Sequence, residues 1–589
     1  MTERPINSIL AADFGSVNTR ALLFDIVEGE YRLVAQAKSR TTIGSPIDDV
    51  HEGLSHALRE IAQGSGRRFF DEGGALIHPE QVDRAGVDYY VTTASAGLPT
   101  RAVLAGLYEG QDLAAARQAI APFYIEVAAE LHLEDGLGPR GRLNRIVHSR
   151  PGLILITGGT DGGARTALLE LLAQIRQAVS LITGGSRPTV VFAGNSSLTT
   201  SVREMLGQHV EVLIAPNIRG RNGINLDGLQ RALAGFFEES KGRSKSYKRV
   251  AAMTDSGIQP SARGIETMTA FFARQVNGAA LSIDFGSARS QLSFAQAGTV
   301  QTLVRNDIGV GHSAAAALDL IGEPAVTAWL PFHPRRNELA QYALDKGLRV
   351  DSVPLDMRER YIEYALLRAG IRYLLAELQR GSAGAAGGPD AAHVKLALVA
   401  GAAITGSGQG ALDLLLLADA LQSEGLLNVK SDPHGALAGL GALAAVEPKA
   451  VVQLLNNNVL ENVGTLIRVV GKAPAGATAL KVSASQQNGE RLQREVTVGD
   501  VWHLPVPANA KVDLRIQARR GLSVGGKRRL RLQLSGGRGG VLFDARLGAM
   551  DAAASMTERA VNMLRWFAAV TGQENPVVIP ESWLAGPET

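Results

Sequence analysis

The sequence predicts an α/β protein made of two related domains, followed by a small all-β domain and a terminal helix. Three observations predict this. An apolar run ending in Asp-Phe-Gly-Ser occurs twice: residues 9–26 read ILAADFGSVNTRALLFDI and residues 281–294 read LSIDFGSARSQLSF. Apolar strands alternate with helical segments around both copies, with glycine turns at the junctions, as in mainly parallel or mixed sheets covered by helices. From about Gly464 the pattern changes to short alternating strands separated by Gly, Pro and Asn. The 589 residues suffice for three or four domains with large cores. The expected boundaries are 1–258 and 259–455 for the related domains, 456–549 for the β-domain and 550–589 for the helix and tail.

Each repeated stretch reads as a strand, a tight polar turn and a second strand. In the first, Gly15 lets the backbone approach a ligand. Ser16, Asn18, Thr19 and backbone N–H groups are donors for phosphate oxygens, and Arg20 follows on the next strand. Asp13, at the strand end, is placed to face Mg²⁺ through water. In the second copy Asp284, Gly286 and Ser287 repeat Asp13, Gly15 and Ser16. One such turn alone is more often a plain hairpin. Two in the same context suggest phosphate loops facing each other across a cleft. That layout resembles the actin-like ATPase (RNase H-like) superfamily.

Composition narrows the class. The net charge of +3 does not make the whole chain a polyanion binder. The absence of cysteine excludes disulfides, thiolate metal sites and a cysteine nucleophile. No signal peptide is read in the first residues, and no run of about 18 apolar residues exists, so a cytoplasmic protein without a membrane span is expected.

In order, the first strands end near Ala37, and residues 49–62 show helical spacing. Residues 87–97 (VDYYVTTASAG) read as a buried strand entering a small-residue turn, where Thr92, Thr93 and Ser95 either face the cleft or serve the turn. Residues 112–121 are helical up to Pro122, and 139–143 read as a loop. Residues 153–163 (LILITGGTDGG) run from a strand into a glycine turn. Gly158, Gly159 and Asp161 are cofactor-binding candidates there; the alternative is a tight turn with Asp161 capping the next helix. Strands follow at 190–195 and 212–217, the first with a helix to Leu206.

Residues 260–275 are a helix before the second repeat, and Asp307–Gly311 is a glycine turn opening another. Helices at 338–346 and 357–378 precede a loop at 381–388. Residues 394–408 (VKLALVAGAAITGSG) repeat the strand-to-glycine-turn pattern. In actin-like ATPases a turn at this place lies under adenosine, which makes Gly401 and Ala402, with Gly406, candidates; the alternative is the packing of a β–α turn. Asp432-Pro433-His434-Gly435 opens the helix 436–445.

The last strands are expected at 466–470, 479–484, 492–498, 511–518, 530–534 and 541–545, forming a small sandwich or barrel. Residues 465–548 hold 15 Lys+Arg against 5 Asp+Glu, so the rest of the chain is net negative. Arg519-Arg520 and Lys527-Arg528-Arg529-Leu530-Arg531 cluster at glycine turns, either as a solvated face or as a docking face for an acidic protein partner. No aromatic residue is interleaved for base stacking, which argues against nucleic acid. Residues 551–571 form an amphipathic helix with Ala560, Leu564, Phe567 and Ala568 on one side.

Several motifs in the same order resemble the glutamate mutase L family, also described as methylaspartate mutase accessory proteins: ADFGSVNTRALLFDI at 12–26, TTASAGLPTRAVLAGL at 92–107, ILITGGTDGGA at 154–164, VVFAGN at 190–195, SIDFGSARS at 282–290 and SDPHGALAGLGALAAVEPKA at 431–450. The strands ending RGLSVGG (520–526) and GGRGGVLFDAR (536–546) are similar too. The resemblance implies an actin-like fold, ATP/ADP and Mg²⁺ as ligands, and a cobalamin-dependent mutase as partner. The implied role is that of a reactivating factor exchanging damaged cobalamin. It implies Asp13 and Asp284 as the acids that organise metal and water, phosphate contacts from Gly15, Ser16, Asn18, Thr19, Gly286 and Ser287, and Gly401 and Ala402 under adenosine.

The chain departs from the family pattern. Val17-Asn18 replaces hydroxyl residues, Arg20 replaces Lys, Gly401-Ala402 stands for Gly-Gly, and Gln291 stands where an acid closes the second loop. Gln291 cannot replace a carboxylate near Mg²⁺, so ATP binding is expected with slow hydrolysis. The alternative is an actin-fold scaffold that binds proteins without nucleotide turnover. A small-molecule kinase on this fold would need a catalytic base, and the sequence singles out none.

Overall fold

The run Ser8–Phe14 is buried along its length except at Asp13, the signature of a central strand covered on both faces. This strand, β1, pairs antiparallel with β2 (Asn18–Val27) and parallel with β4 (Tyr89–Ala94); β2 pairs antiparallel with β3 (Glu30–Arg40). The helix Val50–Ser65 packs on β2 and β3 through Leu54, Leu58 and Ile61, starts at Asp49, whose carboxylate accepts from His51 N–H, and ends at Gly66 in the left-handed region. The computed structural model describes residues 5–182, 187–220, 223–381, 388–406, 408–486, 489–547, 555–572, 580 and 583. The chain divides into two units. Unit 1 is Met1–Gly264 with Thr302–Asn306 and Ala438–Pro448; unit 2 is Ile265–Gln301, Asp307–Leu437 and Lys449–Thr589.

After β4 the chain of unit 1 leaves its first sheet. Strands β5 (Thr100–Ala105), β6 (Ile125–Leu131), β7 (Leu153–Gly158), β8 (Thr189–Gly194) and β9 (Val212–Ile214) form a second, all-parallel sheet in the order β6-β5-β7-β8-β9. A short hairpin, β10 (Arg219–Gly220) with β11 (Gly223–Ile224), follows. Strand β12 (Ile258–Pro260) then returns beside β4 and completes the first sheet as β12-β4-β1-β2-β3.

Unit 2 repeats that first sheet. Strands β13 (Ala279–Phe285), β14 (Ser290–Gln296), β15 (Thr299–Arg305, whose residues 302–305 are counted with unit 1), β16 (Val394–Ala400) and β17 (Gly425–Ser431) lie in the order β15-β14-β13-β16-β17, matching β3-β2-β1-β4-β12. The pairings also match: β13 is antiparallel to β14 and parallel to β16, and β16 is parallel to β17. The duplication read from two short turns therefore extends to the whole sheet. The units differ where the inserted sheet of unit 1 lies: between β16 and β17 the described residues of unit 2 form the helices Ala402–Thr405 and Gly410–Leu421 and no strand.

The C-terminal strands are β18 (Glu461–Arg468), β19 (Val470–Gly471), β20 (Thr478–Gln486), β21 (Arg491–Thr497), β22 (Val501–Leu504), β23 (Lys511–Ala518), β24 (Leu522–Ser523), β25 (Arg529–Ser535) and β26 (Val541–Asp544). Strands β18, β26 and β22 extend the sheet of unit 2 beyond β17, and β21-β20-β23-β25 form a separate sheet. Both share one core, with Ile467, Leu504 and Phe543 from the first and Leu480, Val512, Leu514 and Ile516 from the second. The strand-rich region is thus a sandwich, one layer of which continues the α/β sheet.

Some local readings change. Residues 139–143, expected as a loop, begin the helix Pro139–Ser149. Pro139 sits in its first turn, where the missing N–H costs nothing, and Ile146 is buried. The segment 112–121 opens with a π-turn, Glu109–Leu113, and Pro122 lies in a 3₁₀ turn after the helix Ala114–Ile120. Of the loop expected at 381–388, residues 382–387 lie outside the described residues. The terminal helix runs Met556–Thr571 with Ser555 as its cap, residues 551–554 lying outside the described ones. It buries Ala560, Leu564 and Phe567, and Trp566 Nε1 donates to the Gly499 carbonyl at 2.9 Å. Among the described residues no helix is long and apolar enough to cross a membrane.

Candidate functional site

The turn after β1 is built by its backbone. Gly15 N–H donates to the Asn18 carbonyl at 3.0 Å, and a Cβ on Gly15 would stand 3.0 Å from that oxygen, so only glycine closes the turn without displacement. Thr41 supports it from β3: its N–H donates to Val17 O at 2.8 Å and its hydroxyl to Gly15 O at 2.7 Å. Thr19 is fully buried and shares a hydrogen bond with the Thr41 hydroxyl at 3.0 Å. It braces the turn from within, so its expected place among the phosphate donors is corrected: β-alternation directs Thr19 inward. Ser16 and Asn18 stay partly exposed in the turn.

Asp13 lies beside Arg20 on β2 and Thr93 on β4. Its Oδ1 accepts from Thr93 Oγ at 2.7 Å and from Ser261 Oγ at 2.6 Å. Ser261 opens the helix Ser261–Gln275 at the end of β12. Two hydroxyls therefore fix one carboxylate oxygen, and the other has no partner among the described residues. Of the hydroxyls read at 92–95, Thr92 and Thr93 are both fully buried, and Thr93 reaches Asp13 from within. Ser95 and Ala96 donate their N–H groups to Phe14 O, both at 2.9 Å. Lys241 Nζ donates to Ala96 O at 2.7 Å and lies 4.8 Å from the Tyr247 ring centre. Sequence reasoning missed Ser261, Thr41 and Lys241. The Pro260-Ser261 pair does carry a helix-start signal, but nothing in it points to Asp13, 248 positions away.

The second turn repeats the first. Gly286 N–H donates to Arg289 O at 2.9 Å, and a Cβ on Gly286 would meet that oxygen at 2.7 Å. Asp284 lies opposite Gln291 on β14 and Ala400 on β16. The surroundings differ, however. The turn at 309–313 closes over Ser287, whose carbonyl accepts from Gly311 N–H at 3.0 Å and whose Oγ accepts from His312 N–H at 3.0 Å. Gln291 is buried and its amide donates to Ser293 Oγ at 2.9 Å. Gly401 has φ +92°, and a Cβ there would sit 2.2 Å from the Phe285 carbonyl oxygen. Gly401 is thus glycine because the turn after β16 touches the end of β13, and Ala402 starts the short helix Ala402–Thr405 beside it.

Gly158, Gly159 and Asp161 are not brought to the first turn. They follow β7 on the inserted sheet, among Leu107, Asp112, Asn195 and Asn217. Gly158, Gly159 and Gly162 all have positive φ. Asp161 caps no helix of its own; its Oδ1 accepts from Ser196 N–H at 2.9 Å and Asn217 Nδ2 at 2.8 Å, and the Ser196 N–H first, then Asn217, hold its carboxyl below the usual range. Fully buried Asn195 braces the turn by accepting from Gly162 N–H at 3.0 Å and donating to Gly163 O at 3.1 Å.

A five-stranded sheet used twice, with an Asp-Phe-Gly-Ser turn after the first strand of each copy, defines a protein of the actin-like ATPase fold. Family comparison agrees with the motifs. The chain belongs to the MutL protein family, that of the glutamate mutase L proteins, whose family model matches residues 9–459. The sandwich strands from β18 onward lie beyond the matched residues. Among solved structures the chain is similar to nucleotide-free acetone carboxylase, at 11% identity over 84% of this chain and 81% of that one, with a TM-score of 0.30. It is also similar to component A of the (R)-2-hydroxyglutaryl-CoA dehydratase of Acidaminococcus fermentans (10%, 75% and 99%, TM-score 0.27). A third is the ATP-dependent caprolactamase from Pseudomonas jessenii (12%, 83% and 81%, TM-score 0.32). No curated protein matches the chain in sequence.

Proposed function

We propose that this protein binds ATP and ADP with Mg²⁺ through the first turn, and that the bound nucleotide governs its hold on a partner enzyme. The observation that carries the reading is the Asp13 carboxylate, fixed through one oxygen by Thr93 and Ser261 and open at the other, beside a glycine turn. Gly15, Ser16 and Asn18 hold phosphate in this reading, and Arg20 adds positive charge. Mg²⁺ fits a lone carboxylate because it keeps most of its water and shares phosphate oxygens. Among the described residues no cluster of three His, Asp or Glu would hold a metal by itself. The ion, when bound, neutralises phosphate charge; the residues orient it.

The family relationship supports a cobalamin-dependent mutase as the partner and a reactivating role in which damaged cobalamin is exchanged. The basic strand-rich region supports docking on an acidic protein surface. The test is calorimetric titration of Mg-ATP and Mg-ADP into the wild type and Asp13→Ala. Micromolar binding that the mutant loses is expected. Unchanged affinity in the mutant would sink the assignment of Asp13.

One observation favours a second reading, a scaffold without turnover. In the second turn Ser287 is occupied by the 309–313 segment and Gln291 is buried against Ser293. If the wild type binds no nucleotide, the scaffold reading replaces the first. Asp284→Ala tests the second turn by itself.

A further inference from the structure

The outer face of the sheet β21-β20-β23-β25 carries a charge pattern the nucleotide reading does not use. On β23 Val512, Leu514, Ile516 and Ala518 are buried while Lys511, Asp513, Arg515 and Gln517 are exposed. On β25 Arg529, Arg531, Gln533 and Ser535 are exposed. Register places Arg515 directly opposite Arg531, and Gln517 opposite Arg529. Like charges directly opposite on one face are destabilising. Two other charged residues on this face do have partners: Lys481 pairs with Glu495 at 2.8 Å, and Asp513 accepts from Gln533 at 3.1 Å. Arg515, Arg529 and Arg531 have no carboxylate partner among the described residues.

The edge itself is open. Among the described residues strand β25 pairs only with β23. Ala518 N–H donates to Arg528 O, and Gly536 N–H to Ala510 O, both at 2.8 Å. These bonds fix the phase of the ladder: even-numbered residues of β25 bond to β23, and odd-numbered ones turn their N–H and C=O outward. Arg529, Arg531 and Gln533 therefore offer backbone groups and exposed side chains together. At Ser535 the free run ends, since Asn462 Nδ2 reaches its carbonyl at 3.4 Å.

We propose that this edge binds an acidic polypeptide segment as an added antiparallel strand. Residues of that segment opposite Arg529 and Arg531 would exchange backbone hydrogen bonds with them and lie on the same face of the sheet. Acidic residues at every second position would then meet both arginines, with neutral ones between. Edge charges alone also keep identical sheets apart, but that role needs only β25 and leaves Arg515 on the inner strand without a purpose. The exposed side chains of β23 and β25 include no aromatic on which bases would stack. The inference rests on the acidic-partner reading above and adds its geometry.

The test titrates four labelled probes into the full chain by fluorescence anisotropy. They are a peptide alternating Glu with Thr, an isomer with its Glu residues consecutive, the alternating peptide N-methylated at each Glu, and a DNA duplex. The alternating peptide should bind about tenfold tighter than its isomer or its methylated form, and Arg529→Gln/Arg531→Gln should weaken it by about tenfold while keeping the wild-type melting transition. Equal binding of all three peptides would overturn strand addition and keep the acidic-partner reading. Binding of none would overturn both. A duplex that binds more tightly than every peptide would make this a nucleic-acid surface and overturn the proposal.

Discussion

Gly401 offers the sharpest test of whether a glycine in this fold serves packing. Two costs add when it becomes Ala. An L-residue at φ +92° is strained by about 1–2 kcal/mol. The new Cβ would stand 2.2 Å from the Phe285 carbonyl oxygen and 2.8 Å from its carbon, atoms of β13 itself. A backbone clash cannot be relieved by a rotamer change, so overpacking adds about 1–3 kcal/mol. Gly401→Ala should therefore destabilise the fold by about 2–5 kcal/mol. Gly298 provides the control: it has φ +83° in the exposed hairpin between β14 and β15, with nothing within 4 Å of its would-be Cβ, so its Ala substitution should cost only about 1–2 kcal/mol. Urea denaturation of both variants, followed at the transition of unit 2, measures the difference. Equal costs would refute the close approach of Gly401 to β13. Adenosine packing would then be the better reason for the glycine.

Removing both hydroxyls from Asp13 with Thr93→Val and Ser261→Ala should weaken Mg-ATP by about tenfold in calorimetry, about 1.4 kcal/mol, because the hydroxyls orient a half-buried carboxylate and do not themselves touch the nucleotide. An unchanged affinity would mean the carboxylate needs no positioning. Arg546 donates to Asp419 at 2.6 Å and Asp544 at 2.9 Å, both carboxylates being buried. Arg546→Met should cost about 3–5 kcal/mol, chiefly by leaving buried Asp544 with Arg468 at 3.9 Å as its counter-charge, since Asp419 keeps Arg368 at 2.7 Å, read from the denaturation midpoint. Burial, and then Arg249, pulls the His51 imidazole below its usual value, and burial does the same to His503. A depressed pKa means the unfolded chain takes up protons first, so this stability is full above about pH 6.5 and is lost as pH falls through the folded value. The melting temperature should drop between about pH 7 and 5, with a shallower slope in His51→Leu/His503→Leu.

The features legible in the sequence were those written locally. The two Asp-Phe-Gly-Ser turns could be read because each needs only a strand end, a glycine and the next strand, all within a few residues. The alternation along 511–518 could be read because β23 has one wet face, so its period of two is visible. What was hidden is which strand joins which sheet. β1 and β7 are both apolar runs that lead into glycine turns, yet one belongs to the duplicated sheet and the other to the insertion. A strand covered on both faces carries no mark of its neighbour, so the glycine turn after β7 looked like part of the same site. The same reason hid Ser261, whose hydroxyl meets Asp13 only because β12 returns beside β4 after the insertion.

The two turns that repeat each other also show where duplication stops predicting function. Their backbone closure is alike, at 3.0 Å for Gly15 to Asn18 and 2.9 Å for Gly286 to Arg289. Closure is a property of the glycine and survives in both. The surroundings come from elements far along the chain, and these have diverged. Thr93 and Ser261 hold the first acid, while Gln291 lies across from the second and the 309–313 segment closes over its serine. A motif that needs only local geometry is retained even where the segments around it differ. The side chains brought to it from elsewhere, and not the motif, are therefore what a test of function must alter.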